Sequence, residues 1–317
     1  MRPPASCHVV ILDGTMSSMA HGQETNAGLT WKFLREVRAR YRMTVWYAPG
    51  LQWQRWGNTL DVIAGAGINR LICAAYRHLA SVYRPGDRIF LFGYSRGAFA
   101  ARSLAGWIDR LGLMRPLNAT PQRVDALWTH YADDPESAAA QGFATRYCDR
   151  RVAVEAVCVW DTVKALGICM PLLWRLVPMQ TEFHNHQLGP NIRHGFHALA
   201  RDERRLVYDP VLWECPPGWN GHVEQVWFRG VHGDIGGHLG GFEAARPLAN
   251  IPLTWMLERA ESCDLPLPRG WRLRLHTDAG APSIGMNRGW GRLFLRRRDR
   301  RVGGDMSESI HPTARNA

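Results

Sequence analysis

Arg88-Ile89-Phe90-Leu91-Phe92-Gly93-Tyr94-Ser95-Arg96-Gly97-Ala98-Phe99-Ala100-Ala101-Arg102 is the stretch whose reading decides the fold. The apolar run Ile89 to Phe92 reads as a strand buried on both faces. The spacing from Arg96 to Leu111 predicts a helix, with Gly112 as its stop. Between the two lies G-x-S-x-G, Gly93 to Gly97. A strand-to-helix turn this sharp forces its serine into a strained backbone, and the two glycines remove side chains that would clash there. The turn lifts the Ser95 hydroxyl clear of the sheet. It also leaves the Arg96 backbone N–H facing the same space, at a helix N-terminus whose dipole favours a developing oxyanion. A tight turn that holds a serine by chance is the bland alternative; the flanking strand and helix favour the nucleophile.

Outward from this turn, strands and helices alternate. Val9 to Leu12 is a buried strand that ends in a loop at Asp13-Gly14-Thr15. The pattern then predicts a helix over 26–41 with Thr25 or Asn26 as N-cap, a strand over 43–47 and a long helix over 60–83. After the serine helix come a polar helical region (121–147), a buried strand (152–160), a helix (191–205), a strand (223–229) and an amphipathic helix (247–260). This order implies an α/β fold with a mostly parallel sheet and helices on both faces. No internal repeat or Gly/Ser/Pro-rich linker divides the chain. The expected organisation is one domain over 1–317, with a lid or interfacial insertion around 165–190 and a basic C-terminal tail around 285–317.

Composition narrows the function classes. The 317 residues are 46% hydrophobic and 10% aromatic, which excludes general disorder. Seven cysteines, odd in number and without a C-x-x-C pair, fit reduced cysteine rather than a disulfide framework or zinc site. The formal charge of +11 is carried almost wholly by arginine and favours anionic partners: lipid headgroups, an acidic substrate or nucleic acid. The absence of a signal-like start or an apolar stretch of membrane-spanning length predicts a chain made as a soluble cytoplasmic protein. A P-loop ATPase is excluded, because no G-x-x-x-x-G-K-[ST] is present.

A serine nucleophile needs a base, and the base needs an orienting carboxylate. In a fold of this kind they follow in the order Ser, acid, His. Val157-Cys158-Val159-Trp160-Asp161 delivers an aspartate to a strand's C-terminal edge. His232 follows the strand ending at Arg229 and sits among glycines, in Gly230-Val231-His232-Gly233-Asp234-Ile235-Gly236-Gly237. The competing readings are a helix N-cap for Asp161 and a structural loop histidine for His232. His311 is the rival base and Asp234 the rival acid, with a second role for Asp234 in orienting the loop or binding a cation. His197, placed by the pattern in a helix, reads as structural.

The blocks Leu12-Asp13-Gly14-Thr15, Gly93-Tyr94-Ser95-Arg96-Gly97-Ala98, Val159-Trp160-Asp161-Thr162-Val163, Arg201-Asp202-Glu203-Arg204-Arg205, Val231-His232-Gly233-Asp234-Ile235-Gly236-Gly237 and Ile310-His311-Pro312 occur in this order. In them the chain resembles the uncharacterised alpha/beta-hydrolase domain family that includes the catalytic domains of type VI secretion phospholipase effectors. The resemblance implies an alpha/beta-hydrolase-like fold, with Ser95 as nucleophile, Asp161 as acid and His232 as base. It also turns the Asp13-Gly14-Thr15 loop toward the site, where the Gly14 or Thr15 N–H joins that of Arg96 in an oxyanion hole. Asp13 and Asp234 are candidate supporting residues. The lipid or phospholipid nature of the ester substrate, and export without a signal peptide, are what the resemblance implies; serine ester hydrolysis is read from the residues.

The apolar run Ile168 to Met179 is either a lid or a core helix, and Arg292 to Arg301 either a solvated basic tail or a contact for an anionic membrane surface. No metal or organic cofactor is required, and no specific nucleic-acid partner is expected. The alternative function is a catalytically silent scaffold that binds anionic surfaces through its arginines. An aspartyl-phosphate enzyme is set aside, because Ile11 stands where its nucleophilic aspartate belongs.

Overall fold

Two interleaved sets of apolar side chains organise the protein, and they alternate along its strands. The structure is a computed structural model describing residues 5–50, 66–163, 187–215, 221–287 and 296–315. In β1 (Cys7–Leu12), Val10 and Leu12 join one buried cluster, while Cys7, Val9 and Ile11 join another. β3 (Arg88–Tyr94) and β6 (Val154–Trp160) divide in the same way. That period of two follows from side chains projecting to opposite faces of a strand, and it requires a helical layer on each side.

The first layer holds α2 (Ala66–Val82), α3 (Arg96–Leu111), α4 (Pro121–Asp133) and α5 (Ala138–Tyr147). The second holds α1 (Asn26–Val37) and α7 (Arg246–Ser262). The remaining strands of the main sheet are β2 (Met43–Ala48), β7 (Ile192–Ala200), β8 (His222–Phe228) and β9 (Glu308–Ile310). Their order is β2-β1-β3-β6-β7-β8-β9, with every neighbouring pair parallel. Two-residue strands β4 (Leu113–Met114) and β5 (Cys148–Asp149) pair separately. The fold is α/β and alpha/beta-hydrolase-like.

The order runs outward from β1 to β2 and then resumes on the other side at β3. A crevice for ligands forms at such a reversal, outside the carboxyl ends of the strands. The loop Asp13-Gly14-Thr15 leaves β1 there, and Ser95 leaves β3 beside it.

Several elements differ from the sequence reading. The stretch 191–205 is not a helix: Ile192–Ala200 is a strand between β6 and β8, and 201–205 is a turn. Its histidines and arginine gave it a helix-like polar spacing, although the strand interior buries His197 completely. The region 121–147 breaks into two helices around Pro135, and α1 ends at Val37. The expected lid over 168–179, most of the 165–190 insertion, the start of the 60–83 helix and residues 292–295 of the basic stretch lie outside the described residues.

Candidate active site

Ser95 occupies the junction between β3 and α3 with φ 57° and ψ −121°. A non-glycine residue in this region is strained, and it persists only where the surroundings enforce it. Here the Ser95 N–H donates to the Trp160 carbonyl at the end of β6 (3.0 Å). The glycines on either side explain how the turn fits. A Cβ on Gly97 would lie 2.1 Å from the Leu12 carbonyl oxygen, and one on Gly93 would lie 2.5 Å from the Gly97 carbonyl oxygen. Both contacts are with backbone, so neither position has room for a side chain.

Asp161 follows β6 directly and also has positive φ, 41°. Its N–H donates to Ala198 O (2.8 Å), and its side chain is completely buried. Asp161 Oδ2 accepts from His232 Nδ1 (2.6 Å), and His232 Nε2 meets Ser95 Oγ at 2.8 Å. An ionised carboxylate can only accept, so Nδ1 carries the proton and Nε2 presents its lone pair to the serine hydroxyl. Burial alone would raise the Asp161 carboxyl. The Arg300 charge beside it and the bond from His232 override that, holding it far below the usual aspartate range.

His232 opens the short helix α6 (His232–Gly236). Its backbone N–H donates to Glu203 Oε2 (3.1 Å), and the Gly230 N–H donates to Asp202 Oδ2 (2.7 Å). Glu203 is fully buried in an ion pair with Arg205, whose Nη2 lies 2.6 Å from Oε2. Burial would lift the Glu203 carboxyl, and the Arg205 guanidinium brings it below the ordinary glutamate value. The Tyr208 ring stacks on His232 with centroids 4.4 Å apart, and the Tyr94 ring is tilted against His232 at 5.0 Å. Arg205 covers Tyr208 in turn, 4.5 Å from its centroid.

Tyr94 ties three of the sequence blocks together. A Cβ on Gly14 would strike its ring at 2.5 Å and one on Gly236 at 2.0 Å. Its hydroxyl donates to the His232 carbonyl (3.3 Å). The loops after β1, β3 and β8 therefore meet around one aromatic ring, and two of them have glycine where it lies.

The other candidates fall elsewhere. Asp13 is buried and accepts from the Gly14 N–H (2.6 Å), Thr25 Oγ1 (2.6 Å) and Tyr47 OH (2.7 Å). It shapes the loop from behind, and the Gly14 amide is thereby occupied. Asp234, the rival acid, accepts from the Val231 N–H (2.9 Å), the Ile284 N–H (2.9 Å) and the Ser283 hydroxyl, which anchors the 283–285 loop to α6. His311, the rival base, stacks on Phe228 (4.7 Å) and meets Thr313 Oγ1 at 2.8 Å. His197, on strand β7 rather than in a helix, accepts from the Thr162 N–H at Nε2 (3.0 Å) and so pins the turn after Asp161. Burial first, then the nearby Arg102 charge, press it down to about 3, so it is neutral.

Sequence reasoning missed Glu203, Tyr208 and Arg300. The first belongs to the Arg201–Arg205 block quoted for the resemblance, which was the one signal for it. The basic stretch is not uniformly solvated over its described part: the Arg298 side chain is 66% exposed, whereas the Arg300 side chain is 3% exposed and meets Asp161.

Among known proteins, the chain is 33% identical over 171 residues to an uncharacterised protein of Saccharomyces cerevisiae, a match covering 50% of this chain and 24% of that one. Its fold is similar to the crystal structure of an uncharacterised protein from Pseudomonas aeruginosa (18% identity, 83% of this chain and 46% of that one, TM-score 0.47). It is also similar to the Tle1 effector bound to the VgrG spike from the type 6 secretion system (19% identity, 74% and 51% covered, TM-score 0.36). The chain thus spans about a quarter of the curated relative and about half of each solved chain. Residues 7–259 match the sequence model of the type VI secretion, Tle1-like phospholipase effector catalytic domain, and the chain belongs to that family.

Proposed function

We propose that this protein is a serine hydrolase cleaving carboxylic esters of lipids, with phospholipids as the substrate class that its family's description supports. The observation that carries the reading is the unbroken hydrogen-bonded chain from Ser95 Oγ through His232 to a buried, ionised Asp161. Ser95 Oγ attacks the acyl carbonyl as its proton passes to His232 Nε2. Asp161 holds the Nδ1–H tautomer and stabilises the imidazolium. The tetrahedral oxyanion is met by the Arg96 N–H at the start of α3 and by the Thr15 N–H, since the Gly14 amide serves Asp13. Nε2 then protonates the leaving alcohol, and a water molecule releases the acyl group by the same steps in reverse. Export through a type VI apparatus belongs to the same proposal. Among the described residues, no helix is long and apolar enough to cross a membrane.

The test is fluorophosphonate labelling with peptide mapping, beside hydrolysis of short p-nitrophenyl esters. Labelling at Ser95 is expected. Ser95→Ala is expected to abolish labelling and to lower kcat by roughly 10⁴-fold or more. A wild type that neither labels nor hydrolyses esters overturns the proposal in favour of a silent scaffold binding anionic surfaces, and a Ser95→Ala variant with full esterase activity overturns Ser95 as the nucleophile.

A further inference from the structure

Arg300 reaches the site from a segment that supplies none of the groups placed in the reaction. Residues 296–300 run antiparallel beside the turn after β7: the Leu206 N–H donates to Arg296 O (3.1 Å), and the Arg298 N–H donates to Arg204 O (2.8 Å). This pairing carries the Arg300 guanidinium beneath Asp161. Nη1 donates to Asp161 Oδ1 (2.6 Å) and Ala200 O (2.8 Å), and Nη2 donates to Asp161 Oδ2 (3.0 Å) and to the Tyr208 carbonyl. With the Ala200 N–H on Oδ1 (2.9 Å) and His232 Nδ1 on Oδ2, each carboxylate oxygen has two donors. A bidentate fork fixes the plane of the carboxylate as well as its place. The same guanidinium holds the carbonyl of Tyr208, the residue whose ring stacks on His232.

The charges around the imidazole form two nearly neutral pairs. Asp161 after β6 faces Arg300, and Glu203 faces Arg205 on the turn after β7. Among the described residues, Tyr94 on β3, Tyr208, and His238 just beyond α6 also lie near the imidazole, and His197 on β7 interacts with Asp161 and Arg300. Without Arg300, His232 would face an uncompensated carboxylate in a buried site.

We propose that Arg300 is a positioning residue of the hydrolase: it fixes the Asp161 carboxylate in the plane that receives His232 Nδ1–H and offsets its charge, which keeps that carboxylate an acceptor at lower pH. The proposal rests on the reading of Ser95 as nucleophile. Loss of the cation acts twice in one direction. The imidazolium gains a stronger electrostatic partner, and the buried Asp161 carboxyl takes up a proton more readily.

The experiment uses the full chain and compares wild type, Arg300→Met and Arg300→Lys in p-nitrophenyl ester hydrolysis across pH, with kcat and KM resolved separately. In Arg300→Met, kcat is expected to fall on the order of a hundredfold with KM little changed. Its acid limb is expected to move to higher pH by about one unit. Arg300→Lys keeps the charge and loses the fork, so its acid limb stays near that of wild type while kcat remains reduced. An Arg300→Met enzyme whose acid limb does not move overturns the proposal. If that variant does not fold, Arg300→Lys decides, and wild-type kcat there overturns it. Should wild type neither label at Ser95 nor hydrolyse esters, the hydrolase reading fails by itself. The low-field Nδ1 proton resonance of His232 then reads the coupling without turnover: its loss or displacement on replacing Arg300 supports the clamp, and an unchanged resonance refutes it.

Discussion

The two halves of the sheet build the site by different means. On the β1–β3–β6 side, Ser95 and the loop after β1 are set by backbone: positive φ at Ser95 and at Asp161, and glycines at 14, 93 and 97 where side chains have no room. On the β7–β8 side, His232 is set by charge. Glu203 and Asp202 hold its loop by the backbone, Arg205 holds Glu203, and Arg300 holds the carboxylate that the ring addresses. Backbone constraint is local and hard, because covalent geometry enforces it. Charge pairing joins distant segments, and its strength depends on burial and pH.

The largest stability effect expected is on the backbone side. Gly97→Ala drives a Cβ against the Leu12 carbonyl, and a loss of about 4 kcal/mol or more follows, measured by urea unfolding or seen as insoluble protein. A smaller loss than that of the next variant would reverse the comparison. Glu203→Gln leaves the Arg205 guanidinium buried without its anion and is expected to cost about 3 kcal/mol at neutral pH.

The sign of its pH dependence sharpens the point. The Glu203 carboxyl in the folded protein lies below its ordinary value of 4.5, so the folded state binds fewer protons there than the unfolded chain. Its stabilisation is therefore complete above that value and is lost as pH falls through the lower folded one. The gap in unfolding free energy between wild type and Glu203→Gln should narrow on acidification, and a gap constant from neutral to strongly acidic pH would contradict this. The smallest effect belongs to Arg274→Ala. Its pair with Glu36 has the same chemistry, but the two side chains are 48% and 44% exposed. The expected loss is under about 1 kcal/mol by the same unfolding measurement. A loss equal to that of Glu203→Gln would show that burial is not what separates the two pairs.

This difference also explains what could be read from the residues alone. β1, β3, β6 and α3 were legible because each is a continuous apolar run or a regular stripe closed by glycine or a polar loop. Ser95, Asp161 and His232 could be named because each leaves a strand beside a recognisable turn. β7 was not legible: Arg193, His194 and His197 interrupt its apolar pattern, and only the pairing with β6 and β8 explains why a histidine can be buried there. Arg300 was hidden in a run of arginines that all look solvated. What distinguishes it is a carboxylate far away in the chain, and no spacing rule reports such a contact.

Arg300 follows Asp161 by 139 positions. A ribosome that adds roughly 5–20 residues each second finishes the Ser95 turn and the β6 edge many seconds before it supplies this arginine. In that interval a nascent chain must keep an aspartate destined for burial either hydrated or protonated. The cluster of Ser95, His232 and Asp161 is thus completed late in synthesis, after most of the sheet that carries it has already been made.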